Sequence, residues 1–195
     1  VNDAIHLFGD ISTTPLELVS FVLSLLTVWL NIRQKPLAWW FSIVSSATYA
    51  AVFYQARLYG DMGLQFVFIA VSFWGWYQWM FGGENHNELR VSRLGQRGLA
   101  LSGVAWLATF GLLAWALKTF TDTDVAHMDG FLTAGSLVGQ LLLSRKKLEN
   151  WLVWIAVDIL YVGLYVSKGL WLTAVLYSLF VVMAWIGFKA WKRTL

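Results

Sequence analysis

Cysteine is absent from this chain of 195 residues. That excludes disulfides, thiolate nucleophiles and cysteine-bound metals together, and leaves the redox compartment without a marker. Charge is scarce as well: charged residues make up 13% of the chain, against 58% hydrophobic and 17% aromatic, with a mean hydropathy of +0.61. A soluble domain of this length needs far more polar surface, so the composition is that of an integral membrane protein. Proline is limited to Pro15 and Pro36, each placed where the first turn of a helix loses nothing by a missing N–H. His6, His86 and His127 fall in terminal or loop segments with no second ligand at zinc spacing, so no metal or other cofactor is expected. The linker GGENHNELRVSRLGQRG (Gly82–Gly98) is unlike a phosphate-cradling loop. The first residues, VNDAIHLFGDIST, carry neither a basic n-region nor a cleavage site, so no signal peptide is expected in them.

What is present is a series of apolar runs, each long enough to span a bilayer at about 17–25 residues. Seven can be placed: Leu16–Ile32, Leu37–Ala56, Met62–Phe81, Leu99–Leu117, Gly130–Ser144, Asn150–Ser167 and Trp171–Lys189, the fifth being the shortest. The expected fold is therefore all-α and polytopic, a single membrane domain over 1–195. The net charge of +3 comes from basic residues in short loops, which reads as membrane topology and not as a nucleic-acid surface. Arg33, Lys35, Arg90, Arg93, Arg97, Arg145, Lys146, Lys147, Lys189, Lys192 and Arg193 collect on one side, against Arg57, Lys118 and Lys168 on the other. The positive-inside rule then puts the C-terminus in the cytoplasm and the N-terminus outside.

One of these runs carries a carboxylate. From Trp151 to Tyr165 the sequence reads WLVWIAVDILYVGLY, and Asp158 is the one charge in it. A carboxylate at bilayer depth costs several kcal/mol without a partner and usually marks a substrate or ion path. Trp151, Trp154, Asp158, Tyr161 and Tyr165 are spaced 3, 4, 3 and 4 apart, so they share an arc of roughly 80° on one helix face. That face reads as the wall of a pocket for a flat, polar or cationic small molecule. The competing readings are an interfacial aromatic belt for the two tryptophans and, for Asp158, a structural hydrogen bond to Ser45, Tyr49 or Gln140.

Other polar residues within the spans join the candidates. Gln65 begins a stripe through Phe68, Ser72 and Trp76; its amide suits either substrate or a neighbouring helix. Gln140 shares a small, polar face with Thr133, Ser136 and Ser144, for which close helix packing is the alternative. Tyr49, Tyr161 and Tyr177 could stack on a ring or simply fill the core. Asn150 and Thr173 are candidate gate or capping residues.

The chain also resembles itself. A shift of 111 residues aligns Leu26 with Leu137, Lys35 with Lys146, Trp40 with Trp151 and Tyr54 with Tyr165, and brings Trp40 among the candidates. One residue of slip aligns Gly75 with Gly187 and Trp79 with Trp191. Helices 1–3 (about 15–81) and 5–7 (about 128–192) would then be parallel halves joined by a linker helix (about 97–118), an arrangement of transporters that bind substrate near the midplane.

RLYGDMGLQ followed by GWYQW (Arg57–Trp79), and ENWLVWIAVD followed by Leu164, Tyr165 and KGL (Glu149–Leu170), resemble the PnuC-type bacterial vitamin transporters. The resemblance covers all seven spans. It implies a 3+1+3 fold related to the SWEET sugar carriers, a homotrimer in the bacterial inner membrane, and substrate that equilibrates without an ATPase. Phosphorylation by a cytoplasmic kinase would sustain the inward flux. Riboside carriers of this family often have Asn where this chain has Asp158 and, by alignment, Ser45. Nicotinamide riboside is the first substrate expected and thiamine the second, carried by uniport or, if Asp158 titrates, with protons. An intramembrane enzyme would need His, Cys or Lys at depth, and a retinal photoreceptor a lysine mid-way along helix 7; the sequence offers neither.

Overall fold

The hydropathy of the seven runs is matched by their backbone. The computed structural model describes residues 5–8, 11–13, 15–55, 59–121, 126–169 and 171–195. Seven helices lie among these residues: α1 (Pro15–Ile32), α2 (Leu37–Gln55), α3 (Tyr59–Phe81), α4 (Gln96–Phe120), α5 (Ala126–Ser144), α6 (Asn150–Ser167) and α7 (Trp171–Lys192). A short antiparallel hairpin, β1 (Ile5–Phe8) and β2 (Ile11–Thr13), precedes them and was not expected from the sequence. Arg57 and Leu170 lie outside the described residues.

Pro15 is the first residue of α1, as a missing N–H allows. The fifth helix is longer than the sequence indicated, beginning at Ala126 and taking His127 and Asp129 into its first turn. An acidic residue is favourable there, facing the positive end of the helix dipole. α1 and α5 end alike. Gln34 (φ 53°) and Lys146 (φ 46°) adopt the left-handed conformation that closes a helix C-terminus. The amides of Gln34 and Lys35 bond the carbonyls of Asn31 and Leu30 at 3.0 and 2.9 Å, and those of Lys146 and Lys147 bond Leu143 and Leu142 at 3.0 and 2.9 Å.

Which side chains face outward identifies the solvent. Val22, Phe66, Leu101, Val104, Leu112 and Val182 are exposed, whereas Ser20, Ser45, Ser72, Gln140, Asn150 and Asp158 are buried. Apolar outside and polar inside inverts the pattern of a water-soluble protein and is the arrangement for a lipid surround. Among the described residues three helices, α4, α6 and α7, are by themselves long and apolar enough to cross a membrane. Neighbouring helices pack in sequence, α1 on α2, α2 on α3, α4 on α5, α5 on α6 and α6 on α7, and the two groups meet along α1–α7 and α3–α5. Among the described residues the protein is all-helical apart from the hairpin, as a polytopic membrane protein would be.

At the end of the bundle holding the Gln34 and Lys146 turns, four tryptophans form a core with Ile32, Leu143, Leu148 and Ala184. Trp39 meets Trp79 edge-on at 5.4 Å and 87°, and Trp151 meets Trp191 at 5.3 Å and 86°. Gly75 makes room for the Trp39 ring and Gly187 for the Trp151 ring. Trp39 and Trp151, and likewise Trp79 and Trp191, are 112 residues apart in the sequence. The shift of 111 residues pairs Trp151 with Trp40 instead, one residue away.

Candidate functional site

α1, α2, α3, α5, α6 and α7 enclose a cavity of about 460 Å³, within the range of small-molecule sites. Its floor is the tryptophan core, represented by Trp39, Trp151 and Leu143. Its opposite end is lined by Leu164, Tyr165, Asp129 and the exposed Lys168. Between them stands Asp158, eight residues along α6 from Asn150, or about 12 Å from the helix start at 1.5 Å per residue.

Asp158 is 3% exposed. It lines the cavity with no hydrogen bond to another described residue, neither to Ser45, Tyr49 nor Gln140. Its wall continues as the spacing of α6 dictates, through Trp151, Trp154, Tyr161 and Tyr165. Tyr161 and Tyr165 stack at 5.4 Å and 9°, and Tyr177 of α7 lies 5.0 Å from each. Gly139 of α5 backs Trp154: a Cβ there would stand 3.1 Å from Cε2 of the indole.

The facing wall has different chemistry. α1 presents Ser24, Thr27 and Asn31, α2 presents Ser42, Ser45 and Ser46, and α3 presents Gln65. Ser24 and Ser45 share a hydrogen bond of 3.0 Å, Ser42 and Ser72 another of 3.0 Å, and Ser20 donates to Thr48 at 2.9 Å, so hydroxyls join these helices as well as line the space. At the 112-residue shift Ser42 corresponds to Trp154, Ser46 to Asp158 and Gln65 to Tyr177. Rings and a carboxylate thus face hydroxyls and two amides across the cavity.

Of the residues singled out in the sequence, Asp158, Trp154, Trp151, Gln65, Gln140, Tyr161, Tyr177 and Ser45 line this cavity. Trp40, Tyr49, Asn150 and Thr173 do not. Trp40 is 44% exposed and packs on Phe73 and Trp76, each at 5.9 Å. Asn150 is fully buried behind the floor, where Nδ2 donates to the Lys147 carbonyl at 2.6 Å. Tyr49 and Thr173 are half-buried on α2 and α7. The sequence reading missed Trp39, Ser46 and the α1 face. That face did carry a signal: Ser20, Ser24, Thr27 and Asn31 recur at helical spacing within an apolar run. Among the described residues no group of His, Asp and Glu could hold a metal ion.

The family described as Nicotinamide mononucleotide transporter matches residues 14–193. The chain belongs to this family. It is therefore a membrane transporter of PnuC type and not an enzyme. The nicotinamide riboside transporter PnuC of Escherichia coli (strain K12) is 24% identical over 213 residues, covering 94% of this chain and 87% of that protein. The riboflavin/roseoflavin transporter RibM of Streptomyces davaonensis is 26% identical over 182 residues, covering 90% of this chain and 83% of that one. A crystal structure of the vitamin B3 transporter PnuC superposes with a TM-score of 0.75 at 24% identity, over 92% of this chain and 81% of the other, which bears on the fold alone.

Proposed function

We propose that this protein carries nicotinamide riboside across the bacterial inner membrane by facilitated diffusion. The cavity is exposed alternately to either side, and uptake is drawn forward by phosphorylation in the cytoplasm. The observation that carries this reading is the Asp158 carboxylate, without a hydrogen-bond partner among the described residues, on an aromatic wall facing hydroxyls and two amides. A cationic aromatic ring would stack among Trp154 and the tyrosines with its charge beside Asp158. Sugar hydroxyls would meet Ser45, Ser46, Gln65 and Gln140. The E. coli relative's substrate is the same molecule.

In this reading the chain is one membrane domain of two parallel three-helix repeats joined by α4, SWEET-like and assembled as a homotrimer. The N-terminus is periplasmic and the C-terminus cytoplasmic. The eleven-to-three distribution of basic residues supports the orientation, and the paired tryptophans and turns support the repeat. Asp158 favours a second reading too, since thiamine is also an aromatic cation. The RibM relative is a transporter of riboflavin, a neutral vitamin, which makes riboflavin a third ligand to compare.

Titration calorimetry of the purified protein with nicotinamide riboside, thiamine and riboflavin tests the choice. Nicotinamide riboside is expected to bind most tightly. Tighter thiamine binding moves the assignment to the second reading, and no binding of any of the three at millimolar concentration ends the vitamin reading. Uptake into liposomes that does not change when a proton gradient is imposed checks uniport; uphill accumulation driven by that gradient overturns it.

A further inference from the structure

We propose that the tryptophan core forming the cavity floor is a gate, with Trp79 and Trp191 as its two latches. The inference rests on the alternating exposure proposed above. Trp79 of α3 donates its indole N–H to the Leu143 carbonyl of α5 at 3.0 Å; Trp191 of α7 donates to the Asn31 carbonyl of α1 at 3.1 Å. These bonds cross α3–α5 and α1–α7, the two seams along which the helix groups meet. Any movement that opens the floor by parting the groups must break both.

Each acceptor is held in place. Leu143 and Asn31 also receive the amides of the left-handed residues Lys146 and Gln34. Lys146 reinforces one latch, its ammonium lying 4.6 Å from the centre of the Trp79 ring. The α3–α4 connection straps the same turn: Ser92 donates to and accepts from the backbone of Lys146 and Leu148 at 3.0 and 2.9 Å.

The other two tryptophans act in the opposite sense. The indole N–H groups of Trp39 and Trp151 are buried without a protein partner among the described residues. A buried unmade hydrogen bond is costly, and parting the floor would admit water to both. The closed floor is thus stabilised by two made bonds and opposed by unmade ones, to which the buried, unpartnered Oδ1 atoms of Asn31 and Asn150 add. Such a balance suits an element that must open and close in every transport cycle.

Because the chain has no cysteine, one reporter thiol reads accessibility cleanly. Ser136→Cys, on the cavity wall, is labelled with a membrane-impermeant maleimide in oriented vesicles of either sidedness. Trp79→Phe and Trp191→Phe are each expected to raise the labelling rate from the Lys146 side by roughly threefold or more, the scale of one lost hydrogen bond. Trp106→Phe removes a similar bond outside the core, from Nε1 to the Phe131 carbonyl at 3.0 Å, and is expected to change nothing. Trp39→Phe removes an unmade donor and is expected to slow labelling from that side, which keeps the test open if a latch variant fails to fold. Latch variants that label like the parent, or a Trp39→Phe variant that labels as fast, overturn the gate. If the parent still performs counterflow, the transport reading survives that failure. A reporter reached only from the opposite side in every variant overturns the gate and alternating exposure together.

Discussion

Gly187 lies against the Trp151 ring so closely that a Cβ at 187 would stand 2.7 Å from Cε2, Cζ2 and Cη2 of the indole. Trp151 is 3% exposed and is held edge-on against Trp191. Gly187→Ala should therefore force α6 and α7 apart and destabilise the protein by about 1–3 kcal/mol. Gly163→Ala, on the same α6 but facing open space, should be neutral or mildly stabilising because alanine is the better helix former. Thermal unfolding followed by tryptophan fluorescence compares the two, and equal melting temperatures would contradict the packing argument.

Asp158→Asn keeps the shape of the side chain and removes its charge. If the carboxylate neutralises a bound cation, affinity for nicotinamide riboside should fall by about ten- to a hundredfold, the range for a hydrogen bond to a charged group; unchanged or tighter binding would mean that the asparagine often found here in riboside carriers serves that ligand as well, and that the carboxylate suits a different cargo. Calorimetry of both proteins measures it. The same variant separates uniport from proton coupling. It should leave exchange intact only if the carboxylate's task is to carry a proton, and uphill accumulation driven by a pH gradient in the parent would then disappear.

Trp39 and Trp40 are adjacent and should behave oppositely. Trp39 is 1% exposed within the floor, so Trp39→Ala is expected to cost about 3–5 kcal/mol. Trp40 faces outward, and Trp40→Ala should leave ligand affinity unchanged. A loss of binding in the Trp40 variant would return that residue to the site.

This pair also shows where sequence reading stops. The helices were legible because apolar length and two prolines mark them, and the bounds expected for α6 are those observed. Its lining face was legible as well, since a lone carboxylate in an apolar helix must turn away from lipid and takes the tryptophans and tyrosines at 3–4 spacing with it. In α2, however, two consecutive tryptophans let the alignment slip by one residue, which on a helix turns the side chain about 100° away. The hydroxyl wall on α1 was harder still. Serine and threonine in a membrane helix satisfy themselves by bonding the carbonyl four residues back, as Ser24 and Thr27 do at 2.8 Å each. They therefore pass as neutral filler.

Lys146 supplies a pH test outside the spans. Its burial lowers the ammonium pKa below 10.5, with Glu88 opposing the shift. The folded protein then binds fewer protons than the unfolded chain between the lowered value and 10.5, so stability should rise as pH increases through that interval. Lys146→Met should flatten that part of the melting-temperature profile. An unchanged slope would mean that other groups govern it.

The closing machinery and the lining occupy different levels of one cavity. Tryptophans, their glycine seats and the two left-handed turns lie at the floor, while Ser46, Gln65, Trp154 and Asp158 stand above them. A substitution in the upper layer can thus change which molecule is held without disturbing how the passage shuts. Selectivity and motion are separately adjustable, and a transporter built this way can take up a new cargo through a handful of side-chain replacements.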